Sequence, residues 1–138
     1  MTLSRDDLVG VWTLEATYAE DDDGNRTPAL GDNPKGRIMY TDDGYMVAMT
    51  GYGGRQIPAS GASDADKAAA FDSYMTYSGR WSVDGNVVTH VIDHATNPNW
   101  IGSSRERTVD HQGNRMVFSG ISADGVTRAI IVWRRADA

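Results

Sequence analysis

The sequence predicts an all-β domain, an eight-stranded antiparallel up-and-down barrel with one inserted helix. Three observations carry that expectation. Short runs in which apolar and polar residues alternate with period two recur along most of the chain. Tight turns of the glycine kind, at Asp43-Gly44, Asp84-Gly85, Gln112-Gly113-Asn114 and Asp124-Gly125, separate neighbouring runs. Only one stretch, about 64–77, shows sustained helical spacing. Strands joined in succession by hairpins favour nearest-neighbour order over a Greek key.

The elements follow in order. Ser4 ahead of Arg5-Asp6-Asp7, with an acidic residue three positions on, reads as a capped helical turn that Gly10 ends. The first strand places Trp12, Leu14, Ala16 and Tyr18 on one face and Thr13, Glu15 and Thr17 on the other. Residues 21–33 are acidic and rich in Gly and Pro, and are expected to be a loop. Strands follow at 37–41 and 45–50, and then the glycine-rich segment 51–61, which reads as irregular and mobile. The helix of about 64–77 carries Ala70, Phe71, Tyr74 and Met75 as an apolar stripe and is expected to close or flank one barrel end. The remaining strands are expected at 80–83, 86–95, 101–110, 115–119 and 127–135, with a break at Asn97-Pro98-Asn99-Trp100.

Composition bounds what such a barrel does. The chain has 138 residues, 40% hydrophobic and 23% charged, enough for one domain spanning 1–138 with a real core. The absence of cysteine removes disulfides, thiolate metal ligands and a Cys nucleophile. A net charge of -6 argues against nucleic acid and anionic membrane surfaces as partners. No apolar run approaches the roughly 20 residues of a spanning helix. The N-terminal segment lacks the basic stretch and apolar core of a signal peptide, so a cytoplasmic location is expected. No G-x-S-x-G, phosphate-binding glycine loop or H-E-x-x-H occurs, so neither a cofactor nor a metal is expected.

Several stretches are similar to the lipocalin-like domain proteins of bacteria and fungi. They are Leu8-Val9-Gly10-Val11-Trp12, the run Pro34 to Met46, and Phe71-x-x-Tyr74-x-x-Tyr77-x-Gly79. Val88-Thr89-His90, Pro98-Asn99-Trp100-x-Gly102, Arg107 and Val132-Trp133 continue the match in the same order over nearly the whole chain. The resemblance implies that the first and last strands pair and that an arginine, Arg134 or Arg135, caps the Trp12 face at the closed end. It also implies an enclosed small-molecule pocket. Some barrels of this general kind bind hydrophobic ligands and others act as cyclases or isomerases; fold analogy does not choose between them.

The candidate chemistry lies on two strands. His90 and His94 share parity with Val88 and Ile92, about 13 Å apart, too far for one metal ion to bridge. The opposite face, Thr89 and Val91, is nearly as apolar, so the inward parity stays open. An inward His90 is a candidate general acid or base. Equally, it reads as a neutral imidazole bonded to a Tyr or Thr of the next strand. His94 reads as a rim residue and His111 as an exposed turn residue. Arg105 and Arg107 share a face away from Glu106. Arg107, the position matching the family, suits a substrate carboxylate or enolate oxygen if inward, and both arginines read as solvated ion-pair residues if outward. Tyr40, Tyr74, Trp100, Trp81, Met46 and Phe71 are expected ligand contacts, because aromatic and methionine side chains combine apolar bulk with adaptable packing. Trp12 and Trp133 are assigned to structure.

Two function classes follow, of which His90 and Arg107 favour the first. One is a cofactor-independent cyclase, isomerase or lyase acting on a mid-sized apolar metabolite such as a polyketide or terpenoid, with His90 and Arg107 as its catalytic groups. The other is a non-catalytic carrier of a hydrophobic small molecule. The expected partner is a small hydrophobic or amphipathic ligand, with a homodimer left open.

Overall fold

The computed structural model describes residues 2–55, 63–121 and 125–137. Most of the expected mobile segment 51–61, and Asp124 of the expected Asp124-Gly125 turn, lie outside the described residues. The chain forms helix α1 (Arg5–Leu8), strands β1 (Gly10–Glu20), β2 (Arg26–Pro28), β3 (Lys35–Tyr40) and β4 (Tyr45–Gly51), and helix α2 (Asp64–Asp72). Strands β5 (Tyr74–Asp84), β6 (Val87–Ala95), β7 (Ser104–Gln112), β8 (Arg115–Ile121) and β9 (Arg128–Arg135) complete it. A 3-10 turn, Pro98–Trp100, occupies the expected break.

All pairings are antiparallel, and β1 pairs with both β3 and β9, so eight strands close on themselves in nearest-neighbour order. Closure removes the exposed sheet edges that would invite aggregation. The extra strand β2, inside what reads as a loop, pairs with Tyr18–Glu20 of β1. Beside it the chain is tied to β1 by Ala29 N–H and Leu30 N–H, which donate to the Thr17 carbonyl and hydroxyl at 3.2 and 3.1 Å. No described helix is long and apolar enough to cross a membrane.

Helix α2 is shorter than its periodicity predicts. Ser63 and Asp66 form a reciprocal capping box at its start. It stops at Asp72 because the Ser73 hydroxyl donates back to the Ala70 carbonyl at 2.8 Å. Tyr74-Met75-Thr76-Tyr77, aromatic and β-branched, then pairs with Gly51 to Ala48 of β4 as strand. The apolar stripe expected on the helix is therefore split: Tyr74 and Met75 belong to β5, and Phe71 is 50% exposed. Strand β7 begins three residues later than expected, because Ser103 bonds back to the Trp100 carbonyl and prolongs the turn.

Two bulges break the simple alternation. Leu14 pairs with Trp133 and Ala16 with Val132, so Glu15 is the extra residue on β1. Beyond it the parity inverts: Thr17, expected to face outward, is buried, while Ala16 is only half-buried. On β6, Ile92 pairs with Gly79 but His94 with Ser78, leaving Asp93 as the extra residue. His90 and Ile92 point into the barrel, whereas His94 turns out to solvent and bonds Asp93 at 2.7 Å.

One end of the barrel is solid. Leu3, Leu8, Trp12, Val88, Val109 and Met116 pack there with little or no exposure. The Trp12 indole N–H donates to the Leu8 carbonyl at 3.0 Å. Arg135 is the capping arginine, its guanidinium 4.1 Å from the Trp12 ring centroid and bonded to the Val9 and Asp7 carbonyls. Gly10 makes that approach feasible: it holds φ +124°, and a Cβ there would meet Arg135 Nη1 at 2.6 Å. Arg134 instead points outward to Glu15, the bulged residue. His111, expected to be exposed in a turn, lies on β7 and is half-buried edge-on to Trp12, ring centroids 6.1 Å apart.

Candidate functional site

The other half of the interior holds a cavity of about 280 Å³, near the lower end of the ~300–1,000 Å³ range of small-molecule sites. Ile38, Ala48, Phe118, Ile130 and Trp133 supply buried apolar wall, and exposed Asp72 and Ile121 place its mouth beside the end of α2. The Glu15 bulge matters here, since it turns the Thr17 side chain into this wall.

His90 is one of the cavity-lining residues and is only 1% exposed. The Tyr40 hydroxyl lies 2.6 Å from Nε2 and the Tyr77 hydroxyl 2.7 Å from Nδ1. Burial, with the Arg107 charge as a second cause, lowers the His90 pKa to about 3, so the imidazole is neutral at pH 7. Burial likewise raises the Tyr77 hydroxyl to about 12 and Tyr40 well above its ordinary value. A neutral imidazole has one donor and one acceptor nitrogen, so it donates to one tyrosine and accepts from the other.

Arg105 and Arg107 both point inward, on the same face of β7 as buried Val109. In the β6–β7 ladder His90 is opposite Arg105 and Val88 opposite Arg107. The Arg105 guanidinium stacks 4.7 Å from the Trp100 ring centroid. Arg107 donates through Nη1 to the Glu106 carbonyl at 2.9 Å, and burial lowers its pKa. The Gly120 position on β8 leaves room for this side chain and for the Glu106 carbonyl it bonds, since a Cβ there would meet Arg107 Nη1 at 2.8 Å, the Glu106 oxygen at 2.9 Å and Arg107 Cδ at 3.0 Å. Among the described residues no carboxylate lies within ion-pair distance of either arginine.

The expected site residues therefore divide. His90, Arg107, Tyr74 and Trp100 line the cavity. Four expected ligand contacts do not. Tyr40 stands behind His90, and Trp81 is buried between Tyr40 and Arg5 with its indole N–H on the Thr41 carbonyl at 3.0 Å. Met46 belongs to the packed core, and Phe71 sits half-exposed on α2 because the helix ends before its stripe can turn inward. Trp133, assigned to structure alone, also lines the cavity, and its buried indole N–H has no partner among the described residues. Leu30 and Thr17 carry no legible signal, because a short strand pairing and a bulge bring them to the wall.

A sequence model of the lipocalin-like domain matches residues 9–136, so the chain belongs to the lipocalin-like domain family. Among curated proteins it is similar to the 4'-hydroxy-3'-methoxypropiophenone carrier protein of Aspergillus oryzae (strain ATCC 42149 / RIB 40). The two are 30% identical over an alignment that takes in 53% of this chain and 77% of the relative. Among solved structures, a mutant of the fluorescent protein UnaG aligns over 98% of this chain and 100% of its own, at 12% identity and a TM-score of 0.45.

Proposed function

From membership of the lipocalin-like domain family and from the cavity, we propose that the protein is a binding or carrier barrel for a small molecule with an aromatic or otherwise apolar body. The carrying observation is the cavity itself, walled by Ile38, Ala48, Phe118, Ile130 and Trp133 and furnished with a few inward polar groups. That combination of apolar wall and sparse oriented donors is what holds and orients a small ligand. The similar fungal protein is named as a carrier of an aromatic ketone, and a single-ring ketone suits a cavity of about 280 Å³.

A cofactor-independent cyclase or isomerase is the second reading, supported by His90 at the cavity wall. The carrier reading is favoured on two grounds. Both ring nitrogens of His90 already bond tyrosines. A base with a pKa of about 3 is also poorly matched to proton abstraction near neutral pH, where an effective base titrates close to the working pH. The test is titration with a 4-acylphenol, followed by recovery and analysis of the ligand. The carrier reading expects saturable one-to-one binding, an unaltered ligand, and retained binding in His90→Gln. Conversion of a bound ligand by the wild type and not by His90→Gln would overturn it in favour of the enzyme.

A further inference from the structure

Hydrogen-bond bookkeeping inside the cavity specifies more than an apolar guest. Arg107 has five N–H donors, yet its described partner is one carbonyl, that of its neighbour Glu106. Arg105 contributes a second guanidinium on the same face, stacked on Trp100 and free of any described carboxylate. Two inward cations without a counter-ion are costly unless something anionic joins them.

The tyrosine–histidine cluster adds a third donor. Tyr40 is sealed behind His90, and the described partner of its hydroxyl is Nε2, so the hydroxyl that must be a donor there is Tyr40's. Nε2 is then the accepting nitrogen and Nδ1 carries the proton, donating to the Tyr77 oxygen. The Tyr77 O–H is left over. The opposite arrangement would strand a free O–H on buried Tyr40, whereas Tyr77 lines the cavity, where a ligand oxygen can accept.

We infer that the cavity takes its ligand as an organic oxyanion, a carboxylate or phenolate on an aromatic body, seated on Arg107, Arg105 and the Tyr77 hydroxyl. The inference rests on the carrier reading and adds the charge and position of the bound group. Gly120 is a positioning residue for it, because the space its missing side chain leaves holds the Arg107 stem. For a phenol, binding shifts ionisation: the phenolic proton leaves to bulk water and the oxygen remains as phenolate between the guanidinium groups. The charged and titratable groups lining the cavity around that oxygen are Arg105, Arg107, Tyr77, His90, Tyr18 and Tyr74, with Tyr40 behind His90 and Asp72 at the mouth.

The test uses matched pairs: 3-phenylpropanoate against 3-phenylpropanamide, and a 4-acylphenol against its methyl ether. Calorimetric titration of the wild type should show each acid bound about tenfold to a hundredfold tighter than its neutral twin, as a charge-assisted bidentate contact gives. The bound 4-acylphenol should show its red-shifted phenolate absorption at a pH where the free compound is still phenol. Arg107→Met should remove most of the acids' preference, leaving the share due to Arg105 and Tyr77, with the twins unchanged, and Tyr77→Phe should remove a smaller part. Gly120→Ala changes no donor but crowds Arg107 and the Glu106 carbonyl it bonds, so it should also cut the preference, and, with its fold checked by circular dichroism, it serves if Arg107→Met melts at the assay temperature. Equal binding of acid and twin to the wild type, or equal loss of both in Arg107→Met, overturns the oxyanion site while the carrier reading stands. Binding of no probe of either kind overturns both. Phenylpropanoate preference without a phenolate band assigns the site to carboxylates, and a band without that preference assigns it to phenolates.

Discussion

The two ends of this barrel use the same residue types to opposite effect. At the solid end, Arg135 lies over Trp12 and spends two donor groups on the Val9 and Asp7 carbonyls, while the Trp12 and Trp81 indoles are bonded to carbonyls of Leu8 and Thr41. At the cavity end, Arg105 stacks on Trp100 in a similar way, but its guanidinium has no described acceptor, and the Trp133 indole N–H has none either. An arginine and a tryptophan thus make a staple where the chain supplies the acceptors and leave donors open, as the proposed ligand site requires, where it does not. Satisfied buried groups contribute to stability; the contrast concerns the arginines and tryptophans, since at the solid end the buried His111 Nε2 also has no partner among the described residues.

His90 stands where the two halves meet, and its burial gives the largest expected effect. Its pKa is about 3 in the folded protein, against about 6.5 when the chain is unfolded. Between those values the unfolded chain binds the extra proton. Stability is therefore full above about pH 6.5 and falls as the pH drops toward 3, by about 1.4 kcal/mol per unit and about 4–5 kcal/mol in all. The carboxylates of Asp7 and Glu15, held below their ordinary range chiefly by a Ser4 backbone N–H and by Arg134, add to the loss only at the acid end. Urea melts across pH 4–7 should show this slope, and His90→Gln should flatten it. An unchanged slope in that variant would remove the buried neutral imidazole from the account.

Removing the solid end's plug comes next. Trp12→Ala should cost about 3–5 kcal/mol through lost core volume, with ligand affinity of the folded fraction unchanged. A cost under about 1 kcal/mol would contradict the placement of Trp12. Arg135→Met should be milder, about 2–3 kcal/mol, for loss of the ring contact and two carbonyl bonds. The same change at Arg105, which stacks on Trp100 without a described acceptor, should cost the apo protein less. Equal costs at the two arginines would erase the distinction between the ends.

How much of this was legible in the sequence depends on what each feature rests on. The nearest-neighbour antiparallel strands follow from period-two patterning and turn chemistry, which are local signals, whereas the pairing of first and last strands and the arginine over Trp12 come from the family resemblance. The same alternation puts His90 on the face of Val88 and Ile92 but leaves open which face is inward, because Thr89 and Val91 are nearly as apolar; the structure turns His90 in. The features missed are those in which tertiary pairing overrides a local pattern. Tyr74 to Tyr77 keep helical spacing yet extend along β4, so the apolar stripe assigned to the helix never exists. The bulges at Glu15 and Asp93 invert parity, sending Thr17 in and His94 out. Tyr40, Trp81 and Met46 face inward as their types suggest, but in the packed core rather than at the cavity. Which inward residues meet the cavity depends on where the core stops, and no residue type encodes that.

The four tryptophans offer the most direct test of the contrast between the ends. Trp100 and Trp133 line the cavity, whereas Trp12 and Trp81 lie outside it. Nitrogen-15 correlation spectra of the indole N–H groups, recorded during titration with a 4-acylphenol, separate the two pairs. The account predicts saturable shifts of Trp100 and Trp133, with Trp12 and Trp81 essentially unmoved. Shifts confined to Trp12 and Trp81, or no shift at any indole at saturating ligand, would contradict it.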